Sequence, residues 1–162
     1  MAVDMFLKFT PDLKGESVDS KHKEEIDVLS WSFGASQSAT THMGGGGGAG
    51  KVNVQDISIT KYLDKASPQL FFSCASGKHY DSVLLTCRKA GGDNKVDYLK
   101  YKLTEVLVSS YQTGASGGED RLTENISLNF AKIEIEYTPQ DAKGAAAGVA
   151  KAGWDIAKNI KV

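Results

Sequence analysis

KVDYLKYKLTEVLVSSYQT, Lys95–Thr113, is the stretch that sets the fold class. Apolar and polar residues alternate through it for nearly twenty residues, the period of two that a half-buried strand requires and a helix does not produce. Strands in globular proteins usually run about five or six residues. One this long outruns a single small sheet, so it must bend or pass from one sheet to another.

The same period recurs on both sides of it. Val3, Met5, Leu7 and Phe9 make one apolar face of an opening strand. Asp27–Gly34 (DVLSWSFG) places Leu29, Trp31 and Phe33 on one face and Val28, Ser30 and Ser32 on the other. Lys51–Leu63 (KVNVQDISITKYL) carries Val52 and Val54, then Ile57 and Ile59; the odd step between the pairs reverses the faces and predicts a bulge near Gln55 and Asp56. Asp81–Ala90 (DSVLLTCRKA) sets Val83, Leu85 and Cys87 against Leu84. Arg121–Pro139 aligns Ile126, Leu128 and Phe130, then shifts so that Ile133, Ile135 and Tyr137 share a face, as expected where a strand turns a corner. Turns are expected at Ala90–Lys95 (AGGDNK) and Thr113–Asp120 (TGASGGED).

One segment departs from this period. Asp64–Tyr80 (DKASPQLFFSCASGKHY) offers Ser67 as an N-cap, Pro68 as the first helical residue and Gly77 as the stop, with Leu70, Phe71, Cys74 and, at the margin, Phe72 turned toward the sheet. The fold class is therefore mainly β: a two-sheet β-barrel or sandwich with one short α-helix flanking it and an extended Gly-rich loop. The expected division is a barrel domain over residues 1–140 and an Ala/Gly/Lys-rich tail over 141–162, in which Trp154 and Ile156 dock as a last strand or short segment.

Composition narrows the function. The 162 residues suit one domain, and 19 basic against 20 acidic side chains leave a net charge of −1, without the basic surplus of a nucleic-acid binder. No apolar run approaches the roughly 20 residues that cross a bilayer, and the polar start with Asp4 is not a signal peptide. The expectation is a chain made in, and soluble in, the cytosol, exported only by a signal-independent route, with Cys74 and Cys87 as reduced, partly buried thiols.

His42–Asn53 (HMGGGGGAGKVN) resembles a phosphate-binding loop and fails as one on three counts. Val52 supplies no hydroxyl for magnesium. No buried strand precedes it, since Gly34–Met43 is polar, and strand-like Val52–Ile59 follows where a helix N-terminus is needed. Five successive glycines are costly to order and useful only where some surface orders them. His22, His42 and His79 have no partners at zinc spacing, and no G-x-S-x-G elbow is present. No catalytic group, metal or cofactor is expected. Glu119, Asp120 and Arg121, within GGEDRLTEN, lack the alternating ligands of a calcium loop. They read as solvated charges or as charges that meet Lys and Arg on a neighbour.

Three stretches together are more specific than any single motif: Lys14–Gly34, Ser76–Gly92 and Tyr101–Gln140, joined by the opening MAVDMFLKF. In order, spacing and length they resemble the haemolysin-coregulated protein family, the tube subunits of bacterial type VI secretion, over roughly Met1–Gln140. The resemblance implies a homohexameric ring, rings stacked into a tube expelled with a spike protein by a contractile sheath, and small effector proteins carried in the channel. It implies a non-enzymatic role, no membrane insertion, and secretion without a signal peptide. It also implies that Thr40–Asn53 is a loop reaching to neighbouring subunits, with Gly44, Gly45, Gly46, Gly47, Gly48, Gly50 and Lys51 at inter-subunit or inter-ring contacts. Ser30 and Ser32 become candidates for the channel lining, and Glu119–Arg121 for an interface loop. The rival reading is a phage-like tail-tube or baseplate protein with no carrier role. An enzyme fused to the barrel has only about twenty residues after Gln140 in which to fit.

Overall fold

A computed structural model describes residues 2–11, 13–39, 42, 48–89, 95–141, 143 and 146–162. Among them the chain runs β1 (Val3–Thr10), β2 (Ile26–Asp27), β3 (Ser30–Ser32), β4 (Ala35–Ala39), β5 (Ala49–Val54), β6 (Ile57–Tyr62), α1 (Ser67–Ser76), β7 (His79–Lys89), β8 (Asp97–Gly114), β9 (Thr123–Tyr137), β10 (Ala150–Asp155) and β11 (Ile160–Lys161).

The long strand of the sequence is β8, and with β9 it forms a ladder from Leu99↔Tyr137 to Gly114↔Thr123. Near its first half, β7 joins β8 and β1 and β2 follow, while β10 and β11 extend beyond β9. Along its second half, β6 pairs with β9 between Ile57↔Leu128 and Tyr62↔Thr123, and β3 pairs with β6. One ladder thus serves two layers. The change of layer is visible in the backbone: Glu105 has φ 53 and the register shifts between Val108 and Ser110. On β9 the buried residues step from Ile126, Leu128 and Phe130 to Ile133, as the change of parity in the sequence requires.

The core lies between the layers. Leu7 and Phe9 of β1, Ile57 and Ile59 of β6, Val83 and Leu85 of β7, Leu103 and Val106 of β8 and Ile126 and Leu128 of β9 are all buried in it. Trp31 and Phe33 cover its side, with ring centroids 4.9 and 5.7 Å from Tyr101. The two-layer β fold with one flanking helix is as expected. The layers do not close: β2, β11 and β3 are sheet ends.

Several local expectations change. The reversal between Val54 and Ile57 is a change of partner and not a bulge, for β5 pairs with β4 in a separate hairpin whereas β6 enters the main sheet. Gln55 N donates to Gly34 O at 2.9 Å where the chain crosses over. Val28 is buried and Leu29 is exposed, opposite to the alternation. The cause is a crossing between layers in one step: Val28 N donates to Met5 O of β1, and Leu29 N donates to Thr60 O of β6.

The helix begins one residue early. Ala66 occupies the N-cap without a side-chain bond, Ser67 is already helical and Pro68 is the second helical residue. Ser67 is drawn inward instead, its Oγ accepting from Asp64 N at 3.0 Å and donating to Glu124 Oε1 at 2.7 Å. Gly77 ends the helix at φ 67, a left-handed conformation that any side chain would strain. Leu70 is buried and Cys74 half-buried, but Phe71 and Phe72 point outward. The turn expected at Ala90–Lys95 falls almost wholly outside the described residues. After Pro139, β10 continues the sheet from Ala150↔Tyr137 to Asp155↔Lys132, and Trp154 and Ile156 pack against the core.

These burial assignments separate two neighbouring helix positions. Leu70→Ala is expected to lower the unfolding free energy by about 2–5 kcal/mol. Phe72→Ala should stay within about 0.5 kcal/mol of the parent in the dilute chain. Urea denaturation followed by far-UV circular dichroism reads both.

Candidate assembly surfaces

The hairpin β4–β5 stands apart from the main sheet, with Ala35↔Val54, Ser36↔Asn53 and Gln37↔Val52 in register and an irregularity between Gln37 and Ala39. Ser36, Gln37, Ser38, Lys51 and Asn53 are all exposed. An isolated two-stranded hairpin is marginally stable in water and gains from a surface to lie on. Gly48 leads into β5, and Gly50 and Lys51 lie within it. Gly50 has a local reason to be glycine: an added Cβ would collide with Ser38 Oγ and lie 3.0 Å from Ser38 O. Strand, not helix, follows Lys51, so the phosphate-loop reading fails in the structure as it does in the sequence. Gly44, Gly45, Gly46 and Gly47 lie outside the described residues.

Ser30 and Ser32 face outward from β3 while Trp31 turns in, the alternation read from the sequence. Register then reveals what sequence reasoning missed. Across β3, β6, β9 and β8, Ser30 stands opposite Thr60, Thr60 opposite Asn125 and Asn125 opposite Gln112. The neighbouring row is Ser32, Ser58, Ser127 and Ser110. Two cross-strand rows of uncharged hydroxyls and amides therefore pave the face opposite the core, joined in part by Thr60 Oγ1 donating to Asn125 Oδ1 at 2.6 Å. A third group borders them, where Ser109 Oγ and Asn129 Nδ2 donate to the Asp56 carboxylate at 2.7 and 2.8 Å. The polar alternation in Ile57–Tyr62 and Thr123–Asn129 was the available signal; which residues share a row depends on pairing.

Glu119, Asp120 and Arg121 sit on the exposed turn between β8 and β9. The Arg121 guanidinium lies 3.8 Å over the Tyr62 ring. Among the described residues neither Glu119 nor Asp120 has an ion-pair partner. Among the described residues, Gly50 and Lys51 thus lie on the β4–β5 hairpin, Ser30 and Ser32 on β3, and Glu119–Arg121 on the turn between β8 and β9.

Beneath the paved face is a buried ionic cluster. Lys61 and Glu124 are fully buried and paired directly. Lys61 Nζ also donates to Tyr62 O at 2.9 Å and to Asp64 Oδ1 at 3.0 Å. Burial, reinforced by the Glu124 charge, pushes the Tyr111 phenol up to about 12. On β7, Arg88 is buried against Asp19 and Asp4, with its guanidinium 5.1 Å from the Phe6 ring. The hydrogen bond from Arg88 holds the Asp19 carboxyl far below its ordinary range. His22 stacks on the Phe6 ring with centroids 4.3 Å apart and meets Glu25 through Nδ1 at 2.9 Å, so with Asp19 on Arg88 residues 14–25 form a strap pinned to β1 and β7. These charges are spent on one another. Among the described residues no three His, Cys, Asp or Glu side chains converge as a metal site, and no helix is long and apolar enough to cross a membrane.

The described residues form an open two-layer β protein with a hairpin apart from the main sheet, free sheet ends and a face paved in uncharged polar groups. The family model described as type VI secretion system effector, Hcp, matches residues 6–137. Protein hcp1 of Pseudomonas aeruginosa is 62% identical over 162 residues, 99% of each chain. Hcp1 from Salmonella typhimurium superposes with a TM-score of 0.82 at 40% identity, over 100% of both chains. A solved type six secretion system protein gives a TM-score of 0.93 at 36% identity, over 99% of this chain and 100% of that one. The chain belongs to the Hcp family of type VI secretion proteins.

The buried pair yields a prediction about the frame beneath these surfaces. Lys61→Met alone leaves Glu124 buried without its partner and should cost about 3–5 kcal/mol. The double variant Lys61→Met/Glu124→Leu should recover most of that loss. A double-mutant cycle by urea denaturation measures it, and additive losses would show that the two side chains do not act as a pair.

Proposed function

We propose that this chain is the structural subunit of a type VI secretion inner tube: six copies close into a ring, rings stack, and the channel carries small effector proteins. The observation that carries this reading is the pair of uncharged polar rows on β3, β6, β9 and β8. Such a face hydrogen-bonds to a folded protein through hydroxyls and amides. Within the two rows no fixed charge selects cargo by sign, and no apolar surface is offered that would unfold it. Ser30 and Ser32 then belong to the channel lining together with Ser58, Thr60, Gln112 and Asn125.

The same four-stranded layer supports ring closure. Among the described residues its β3 end pairs only with β6, and β8 beyond Val108 pairs only with β9, with α1 packed nearby. Two unlike free ends on one subunit suit a heterologous contact, which closes when the rotation between copies is a whole fraction of a turn. Pairing there also removes edges that are an aggregation hazard in a lone subunit. The glycine-rich segment Gly44–Gly48 with Gly50 and Lys51 is assigned to contacts between subunits or rings, and Glu119–Arg121 to a charged contact with a neighbour. The role is structural, the protein leaves the cell with the tube, and its partners are further copies of itself, the spike, the sheath and the effectors.

Light scattering on a sizing column should return a ring of about 104 kDa, six copies of 17.3 kDa. A clean 17.3 kDa monomer would overturn the ring. In Ser32→Arg the ring should persist while retention of an effector falls in co-purification. Loss of the ring instead would place Ser32 in a subunit contact, and a ring that never retains cargo would favour the phage-like tube without a carrier role.

Replacing Gly46 and Gly48 together with bulky residues should leave single rings intact and shorten stacks counted by negative-stain microscopy. Unchanged stacking would remove the glycine segment from the contacts between rings.

A further inference from the structure

The layer that contains the first half of β8 turns a different face outward. Tyr101, Leu103, Ile133 and Ile135 pack on the core, so the alternate residues Lys100, Lys102, Glu134 and Glu136 point away from it. Pairing sets these side chains in two rows. One runs Lys100, Glu136 and Lys151 across β8, β9 and β10; the other runs Leu84, Lys102, Glu134 and Gly153 from β7 to β10. With Lys161 and Val162 they line a groove of about 360 Å³. Gly153 leaves room in it, since an added Cβ would lie 3.0 Å from Glu134 Cγ and 3.2 Å from Val162 Cβ.

The glutamates do not neutralise this groove. Four lysines against two glutamates leave an excess of two positive charges, in a chain whose net charge is −1. Lys151 pairs with Glu136 at 3.3 Å. Among the described residues Lys100, Lys102 and Lys161 form no ion pair, although register sets Lys100 opposite Glu136 and Lys102 opposite Glu134. Charge of one sign in a concave site with apolar walls, here Leu84 and Val162, concentrates the field and draws in the opposite charge.

Spacing decides which anion fits. Lys100 and Lys102 are two residues apart on one strand, about 7 Å. Lys151 lies two strands from Lys100, about 10 Å away, with Glu136 between them. A compact anion such as phosphate cannot span these ammonium groups, and an evenly charged polyanion would meet the glutamates. An extended polypeptide with carboxylates at alternate positions has the repeat of β8. We infer that this groove binds an extended acidic segment of a partner protein, whose carboxylates at positions i and i+2 meet Lys100 and Lys102. Glu134 and Glu136 then act against wrong partners, as repulsive elements do at specific interfaces. The groove is built from one subunit's own strands and is independent of the ring.

The probe is a rhodamine-labelled octapeptide of alternating Glu and Ala, titrated against the full chain by fluorescence anisotropy at low salt. It should bind more tightly than its block isomer, four Glu followed by four Ala, and pyrophosphate should compete poorly. Lys100→Gln/Lys102→Gln should weaken binding about tenfold, as loss of two surface pairs implies. Glu134→Gln/Glu136→Gln should tighten it. Lys65→Gln/Lys78→Gln removes the same charge at exposed lysines elsewhere and should leave it unchanged. Circular dichroism checks that each variant keeps the parent fold. A peptide that does not bind, or one that binds the two lysine variants equally, would overturn the site. Equal binding of the block isomer, or ready displacement by pyrophosphate, would overturn the extended segment as its occupant. A monomer that binds the alternating peptide would overturn the ring and leave this site standing.

Discussion

The β8–β9 ladder is the constraint on which the rest of the molecule depends. It runs from Leu99↔Tyr137 to Gly114↔Thr123 and belongs to one layer at one end and to the other layer at the other. An ordinary sandwich joins its layers through loops, which leaves their relative placement to side-chain packing. Here the layers share hydrogen-bonded backbone, so the positive φ at Glu105 and the irregularity between Val108 and Ser110 set how one lies over the other. The core between Leu103, Val106, Ile126 and Ile133 fills the angle thus made. Everything outward follows from the same bend, including the orientation of the polar rows and the position of α1.

Parity carried most of this fold in the sequence because it reports which face of a strand is wet. It located the inward run Val83, Leu85 and Cys87, the shift between Phe130 and Ile133, and the excess length of β8. It failed where the chain changes partners without changing conformation. Val28 and Leu29 are adjacent extended residues bonded to different layers, and no periodicity records that. The step after Val54 likewise marks an exchange of sheets. The face of α1 was illegible for a different reason: with no charge in ten residues, its polar side is not distinguished from its apolar one.

The buried charges were half legible. Lys61 shares parity with Ile57 and Ile59, and Glu124 with Ile126 and Leu128, so each was marked as inward by position and as outward by type. Such a conflict on two strands is itself a signal of a buried pair. Arg88 gave no comparable warning, because the strap that covers it has no period to read. At the surface, Ser30 and Ser32 were visible individually, but their alignment with Thr60, Asn125, Gln112, Ser58, Ser127 and Ser110 exists only once strands are paired. The resemblance to a known family supplied the assembly; the residues alone supplied only a face that could serve one.

The absence of charge in those two rows has an electrostatic consequence. Interactions between exposed charges fade beyond about 8 Å at physiological ionic strength and fade faster as salt rises. Hydrogen bonds from Ser, Thr, Asn and Gln carry no such dependence, since neither partner bears a net charge. The two rows are thus indifferent to ionic strength, whereas the Asp56 carboxylate that borders them and the exposed Glu119 and Asp120 respond to it. A change of salt would therefore act on those charges and leave hydrogen bonds between uncharged groups along the two rows as they are.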